Sequence, residues 1–578
     1  MKKIVLFALG TIVIACGCSK DNIWGSDESS TSGVSGSTTV ETVIDSEDLI
    51  ANTTFARTIS ITFSDYGGAS VSGDENGIVS VSGNAVTVNN TTTTEKVKYV
   101  LTGSTSNGYL KLYSNNKQAL VLDGVSITNP GGAAINNQGK KRCFVVVNGT
   151  NTLADGSSYN TPDDEDEKAA FFSEGQLIFS GDGSLTINAK GKSGLTSDDY
   201  VHFLGSQTVT VSSSAGHGIR GKDFIMVTDG TITSEVSAAM KKGMSSDSLI
   251  VFNGGSTTIK VTGGTAYDSD DQEYKSSAGI KADQLFVMNG GNLTVSNSGQ
   301  GGKGISCDGP AYFQGGTVSV TVTGSNYGSS SSGGRPGGWG GGSSSSSDSS
   351  KSAKGIKVDG NIYISGGDIY AYAKNHEAIE SKAQIQITGG TVYAQSSDDA
   401  INSKGNMAIT GGHVCAYSTG NDGIDTNGNC YIEGGVVYAV GSGSPEVAID
   451  ANTEGGYKLY VNGGILFAIG GLEGGSVLNQ ACYSTSWSKN SWYALNADGE
   501  TYCFKSPASG GSGLVVSAAS KPTVLTGVTT NGGTSEFNGM GVFGGTASGG
   551  SQVTITSYSS GSGMGGGMPG GGPGGWGW

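Results

Sequence analysis

Residues 355–439 read GIKVDGNIYISGGDIYAYAKNHEAIESKAQIQITGGTVYAQSSDDAINSKGNMAITGGHVCAYSTGNDGIDTNGNCYIEGGVVYA, four statements of one unit. Each unit begins at an isoleucine (Ile356, Ile379, Ile401, Ile424), and ten residues later stands the first glycine of a pair (Gly366, Gly389, Gly411, Gly434). The isoleucines are 22 or 23 residues apart. Within each unit hydrophobic residues alternate at period two, the strand signature, and the glycine pair supplies a corner. A period in the twenties built from strands predicts a solenoid. At about 3.3 Å per residue, one unit covers about 70 Å of path, enough for one turn of a three-sided parallel β-helix.

Working outward, the ten-residue offset recurs upstream. Phe172, Leu195, Ile219, Met244, Ile280 and Ile305 stand ten residues before corners at Asp182, Gly205, Asp229, Gly254, Gly290 and Gly315. Two rungs carry insertions: GTAYDSDDQEYKSS before Ile280, and a Ser/Gly-rich low-complexity loop, 325–352, before Ile356. The reading is an all-β chain with the single-stranded parallel β-helix over 57–475, its first turns looser in period, and a strand-rich cap over 476–558. A Gly-rich tail, 559–578, reads as disordered. A solenoid of this length needs no division into several domains, because each rung packs only on its neighbours.

Of 578 residues 100 are glycine, with no G-X-Y period, which excludes collagen. The net charge of −16 argues against nucleic acid as a partner and leaves neutral or cationic ligands, or anionic polymers bridged by a divalent cation. At the N-terminus, MKKIVLFALGTIVIACGCSK has two lysines before an apolar run too short to span a membrane. Residues 1–18 read as a lipoprotein signal with Cys16 or Cys18 as the lipidated residue, an ordinary secretory signal being the alternative. Residues 19–56 read as a polar linker, and the chain is expected in the bacterial envelope, lipid-anchored at the outer membrane or cell surface. Cys143, Cys307, Cys415, Cys430, Cys482 and Cys503 show no zinc spacing. Cys307 and Cys430 fall on inward positions; Cys482 and Cys503 are a candidate disulfide of the cap, with two free thiols the alternative.

A β-helix turns sequence period into vertical columns about 4.8 Å apart. Two residues before the isoleucine the column runs Lys242, Ala278, Lys303, Lys354, Glu377, Asp399, Asp422; one residue after it runs Arg220, Ser245, Lys281, Ser306, Lys357, Glu380, Asn402, Asp425, Asp450. Both turn from basic to acidic between Lys354/Lys357 and Glu377/Glu380. Carboxylates about 5 Å apart repel by about 1 kcal/mol in water and about 3 kcal/mol at an effective dielectric of 20. Asp399 over Asp422, with Asp398 and Asp425 nearby, therefore either raises a pKa or holds a cation, and oxygen ligands of this kind suit Ca²⁺; a solvated acidic edge is the bland alternative. Glu377 and Glu380 extend the candidate metal set, while Lys354 and Lys357 are candidates for meeting sugar carboxylates. A further column, Tyr370, Tyr393, Cys415, Tyr438, Phe467, alternates against buried Val392 and Ala394 and reads as outward. Its tyrosines (Tyr370, Tyr393, Tyr438) are candidates for stacking sugar rings, unless a terminal extension covers them or they stack on one another. The four histidines fit no catalytic motif, and no G-x-S-x-G, H-E-x-x-H or phosphate-binding loop is present.

The segments YVLTGSTSNGYLKLY, ALVLDGVSITNPGGAAI and NTLADGSSY, with the iterated DDAINSKG and ITGGTVYA units, resemble the bacterial carbohydrate-binding β-helix family whose clostridial member binds cellulose and pectic, acidic sugars. The resemblance spans roughly 59–524. It implies a right-handed parallel β-helix, related in shape to pectate lyases, bound calcium, and non-catalytic binding of polysaccharide, with Asp398, Asp399, Asp422 and Asp425 as the carried-over calcium ligands. Glu377 lacks a second acid before it and departs from that pattern. The leading expectation is a surface lipoprotein that binds polysaccharide without chemistry. The rivals are a calcium-dependent polysaccharide lyase with Lys357 as base and a structural adhesin.

Overall fold

The structure is a computed structural model and describes residues 42–162, 165–328 and 350–561. The signal segment with Cys16 and Cys18, the linker up to residue 41, residues 329–349 of the low-complexity loop and the tail from 562 lie outside the described residues. Two compact units make up the chain, Met1–Asp398 and Asp399–Trp578.

In the first unit the chain coils as a parallel β-solenoid with three strands per turn, as in Lys354–Val358, Ile362–Ile364 and Asp368–Ala373. Each strand pairs in parallel with its counterpart in the next turn, with Ile305 opposite Ile356 and Ile356 opposite Ile379. The isoleucine column faces inward: Leu195, Ile219, Met244, Ile280, Ile305, Ile356 and Ile379 are at most 2% exposed. Burying each such side chain contributes about 1.5–3 kcal/mol. Aromatic residues stack inside as well, Phe179 on Phe203 at 5.0 Å. The glycine pairs divide two tasks. A Cβ at Gly389 would lie 2.5 Å from the carbonyl oxygen of Ser365 one turn below, and Gly390 adopts φ +79°, where side chains are strained. At the glycine-pair corners the turns stack closely because the side chain is missing.

The first turns are built on Arg57–Ser64, Val97–Thr105 and Gln118–Asn129, in parallel, with an antiparallel hairpin of Val79–Ser82 and Ala85–Asn90 beside them. Residues 42–56, read from sequence as part of a linker, are instead a strap laid along the outside of the turns. Ile50 and Phe55 pack on a cluster with Phe144, Ile178 and Tyr200, and Ile44 on one with Met226, Val251 and Tyr312. Arg142 is clamped by Asp45, Glu47 (2.7 Å) and Asp48 (2.9 Å). Asp48, 2% exposed, also bonds Tyr200 and His202 Nδ1 (2.8 Å). Thr42 Oγ1 donates to Asn253 Oδ1 (2.9 Å) and accepts from Asn289 Nδ2 (3.0 Å). A polar composition concealed a strap because its few apolar residues are spaced to reach successive turns.

The second unit carries further turns, with Ile401 opposite Ile424 and Ile424 bridged to Ile449. The parallel run stops where Ile465–Ile469 pairs antiparallel with Leu514–Ser517. Beyond it, Thr534–Glu536, Gly541–Phe543, Glu500–Lys505, Trp492–Ala497, Thr523–Asn531 and Thr546–Gln552 form an antiparallel six-stranded sheet. The candidate disulfide is corrected: Cys482 and Cys503 are buried free thiols. They belong to different sheets, Cys482 on a strand paired with Leu514–Ser517 and Cys503 on one paired with Trp492–Ala497. Cys307 and Cys430 are buried core residues. No helix among the described residues is long and apolar enough to cross a membrane.

Candidate functional site

The basic columns of the first unit lie in register. Lys242 pairs with Ala278, Ala278 with Lys303 and Lys303 with Lys354; Arg220 pairs with Ser245, then come Lys281, Ser306, Lys357 and Glu380. They line a groove of about 830 Å³ in which Arg220 and the lysines outnumber the acids Asp247, Glu273, Asp283, Asp308 and Glu380. A chain of net charge −16 thus carries a cationic groove that its total conceals.

The cations of the groove are of two kinds. Arg220 pairs with Asp247 (2.7 Å), Lys281 with Asp283 (3.0 Å) and Asp308, Lys357 with Asp359 (2.6 Å), and Lys354 bridges Glu377 (3.1 Å) and Glu380 (2.7 Å). Lys242 and Lys303 have no carboxylate partner among the described residues. Lys242 Nζ donates to the carbonyl of Met240 (2.7 Å); Lys303 Nζ donates to the carbonyls of Gly301 (2.9 Å) and Ser352 (2.5 Å) and to Ser276 Oγ (3.4 Å). Burial, and then Lys241, Lys275 and Lys281, push Lys242 down to about 8. Burial with Lys354, Lys357 and Lys351 pushes Lys303 down to about 7. Two lysines two turns apart, about 10 Å along the axis, therefore lack an acidic counter-charge in an open groove, and an anion bound there would favour their charged forms. That is a site for an anion.

The acids proposed as metal ligands separate into two environments. Glu377 and Glu380 share the Lys354 ammonium. Burial would raise Glu377, but the His376 hydrogen bond and the Lys354 ammonium hold it down at about 2. Asp398 lies 3.1 Å from His376 Nδ1, and the donor atoms of His376, Glu377 and Asp398 fall within 4.8 Å of one another. The imidazole makes this group unlike the all-oxygen calcium set expected for it. His376 stands at no motif spacing, so the sequence's one signal for it is its place directly before Glu377.

In the second unit the acids form a ladder tied to the backbone. Asp399 Oδ1 accepts from the N–H of Asp422 (3.2 Å), and Asp422 Oδ1 from the N–H of Val447 (2.6 Å). The Asn402 amide donates to Asp399 Oδ2 (3.2 Å) and Asp425 Oδ2 (2.6 Å). Burial, joined by Glu446, Asp425 and Glu473 and opposed by the Val447 N–H, raises Asp422 to about 7. Asp450 is raised too, by burial and its contacts with Glu473 and Asp422. No lysine or arginine pairs with Asp422 or Asp450 among the described residues.

The aromatic column is corrected. Tyr393 is 4% exposed, and Cys415, Tyr438 and Phe467 are fully buried; only Tyr370 is half-buried, stacked on Tyr393 at 5.4 Å. Alternation does direct these side chains out of the solenoid, but in the second unit the antiparallel sheet covers them. Tyr438 OH donates to the Lys505 carbonyl (2.8 Å), and Phe504 stacks on Phe467 at 4.6 Å. An aromatic file is an apolar surface, and here the cap buries it.

A comparison with curated proteins gives no match. Among solved structures, the polysaccharide lyase-like protein from C. thermocellum, as its gadolinium derivative, is 22% identical over 44% of this chain and 96% of that chain, with a TM-score of 0.35. A family model described as carbohydrate-binding domain-containing protein matches residues 82–239, 233–328 and 302–400, which together make up more than half of the sequence and contain every lysine of the groove. The chain belongs to that carbohydrate-binding domain-containing family.

Proposed function

We propose that the lysine groove binds an acidic, carboxylate-bearing polysaccharide without altering it covalently. The observation that carries this is the pair Lys242 and Lys303, largely buried ammonium groups with no carboxylate partner among the described residues, in a chain of a carbohydrate-binding family. Affinity electrophoresis tests it. Migration should be retarded in gels containing polygalacturonate, less so as salt screens the attraction, and not in gels containing a neutral glucan. Equal retardation by both polymers, or by neither, sinks the reading.

Calcium belongs to this proposal as the counter-ion of the second unit's acids, where donors are all oxygen and Asp422 is raised by burial and then by its acidic neighbours. The sign follows. Asp422 binds its proton more readily folded than unfolded, so its contribution favours the fold at low pH and is lost as pH rises through about 7. In chelator at neutral pH, Asp422→Asn, which keeps an oxygen for the Val447 N–H, is expected to stabilise by about 1 kcal/mol, seen as a Tm higher by about 2 °C. Calcium should raise the Tm of the wild type and not that of the variant; a wild type indifferent to calcium removes the metal from the proposal. The lipid anchor at Cys16 or Cys18, and with it an envelope location, is the remaining part, read out by metabolic labelling with a palmitate analogue.

One observation favours a second reading, β-elimination. Lys303, held down to about 7, is partly neutral near pH 7 and can accept a proton there, whereas the Lys357 ammonium is engaged by Asp359. Lys303 would take the C5 proton, beside the uronate carboxylate, as the C4–C5 double bond forms and the C4–O bond breaks, the departing oxygen taking a proton from water, which gives an unsaturated uronate. Growth of that product's ultraviolet absorbance, lost in Lys303→Gln, would replace binding by catalysis.

A further inference from the structure

The insertion before Ile280 is an antiparallel hairpin, Ala266–Asp268 against Glu273–Lys275, standing outside the solenoid turns. Lys275 staples it through Asp268 (2.9 Å) and Asp271. It carries Tyr267 and Tyr274, whose rings meet edge to face at 5.2 Å, and Tyr274 continues to Tyr327 at 5.4 Å. Tyr327 is held where the chain leaves the preceding turn, its N–H donating to the Lys351 carbonyl (2.8 Å) and its carbonyl accepting from the Lys351 N–H (3.0 Å). Tyr274, Lys275 and Lys351 line the lysine groove. Tyr267 is 51% exposed, and Tyr274 and Tyr327 are half-buried.

We infer that Tyr274, backed by the rings of Tyr267 and Tyr327, forms a ring-stacking wall of the groove, so that its ligand is an acidic sugar polymer rather than any polyanion; this rests on the reading of the groove given above. These rings serve no core, since the hairpin lies outside the turns and keeps its own ion pairs. They are rigid and amphipathic, with apolar faces and polar tips, the side chain that packs on the C–H face of a pyranose while hydroxyl groups stay wet. Lys242 and Lys303 line the same groove and supply positive charge when protonated. A uronate residue offers both complements at once, an apolar ring face and a carboxylate. Polyphosphate offers only the charge.

The experiment compares two ligands on the full chain, polygalacturonate and long-chain polyphosphate of matched charge, by titration calorimetry. Tyr274→Leu and Tyr327→Leu keep an apolar side chain and remove the ring. Each is expected to weaken polygalacturonate about fivefold and leave polyphosphate within about twofold, with Tyr→Phe restoring wild-type affinity. Leucine variants that bind both polymers as the wild type does, or that lose both in parallel, overturn the wall. The second result would mean that the tyrosines only brace the hairpin. A wild type that binds polyphosphate but not polygalacturonate overturns it while leaving the groove an anion site. A wild type that binds neither overturns the groove reading itself.

Discussion

Glutamine at both Lys242 and Lys303 is expected to weaken binding of polygalacturonate by about a hundredfold. A hydrogen bond to a charged partner contributes about 1.5–3 kcal/mol, and two of them at the low end already amount to two decades of affinity. Glutamine retains a donor of similar reach, so the loss reports charge and not an emptied site. Lys354→Gln is the informative contrast. That ammonium is engaged by Glu377 and Glu380, so its loss should cost stability by leaving two buried acids without it, Glu377 keeping only His376, with a smaller effect on the ligand. Acidity adds a second signature. Lys303 and Lys242 are held down to about 7 and about 8, so below those values both are charged and above them both are neutral. Affinity should rise as pH falls from about 9 to about 6, where a uronate is still ionised, and binding near pH 8 should take up protons. Calorimetry in buffers of different ionisation enthalpy measures that uptake. Unchanged affinity in the double variant would show that the polymer lies elsewhere.

Arg142→Ala is expected to free the strap. The guanidinium is the common partner of Asp45, Glu47 and Asp48, and Asp48 is 2% exposed. Removing one partner from a buried ion pair costs about 3–5 kcal/mol, and here the cost falls on docking of residues 42–56 rather than on the turns beneath. Hydrogen exchange should show the strap's protection falling by about a hundredfold while Phe179 and Phe203, deep in the turns, keep theirs. Acid should act in the same direction. Burial opposes it, but hydrogen bonds from His202, Arg142 and Tyr200 keep Asp48 below the ordinary carboxylate value. Its contribution is therefore present above about pH 4 and lost as pH falls through the folded value. Protection of 42–56 that survives in Arg142→Ala would assign the docking to Ile44, Ile50 and Phe55 instead.

Periodicity made the columns legible because a solenoid repeats its backbone, and a fixed offset from Ile356 or Ile379 is then a fixed place in space. The pairing of Lys303 with Lys354 and of Lys357 with Glu380 needed nothing more. What escaped was whatever does not repeat. Alternation told which way Tyr438 points, not that Phe504, far along the chain, would lie over it. The insertion GTAYDSDDQEYKSS breaks the period, so no column offset could place Tyr274 at the groove. The strap escaped because polar residues outnumber the apolar ones that anchor it. Net charge misled in the same manner, since a sum over 578 residues carries no position.

The strap also decides where anything upstream of it must depart. Thr42 ends beside Asn253 and Asn289, on the flank of the first unit and many turns from the hairpin that begins it. A tether fastened there would act like a mooring line tied amidships rather than at the bow. A pull on such a line would load the turns near Asn253 and Asn289 first, and would reach the strand Arg57–Ser64 only after the strap had peeled away.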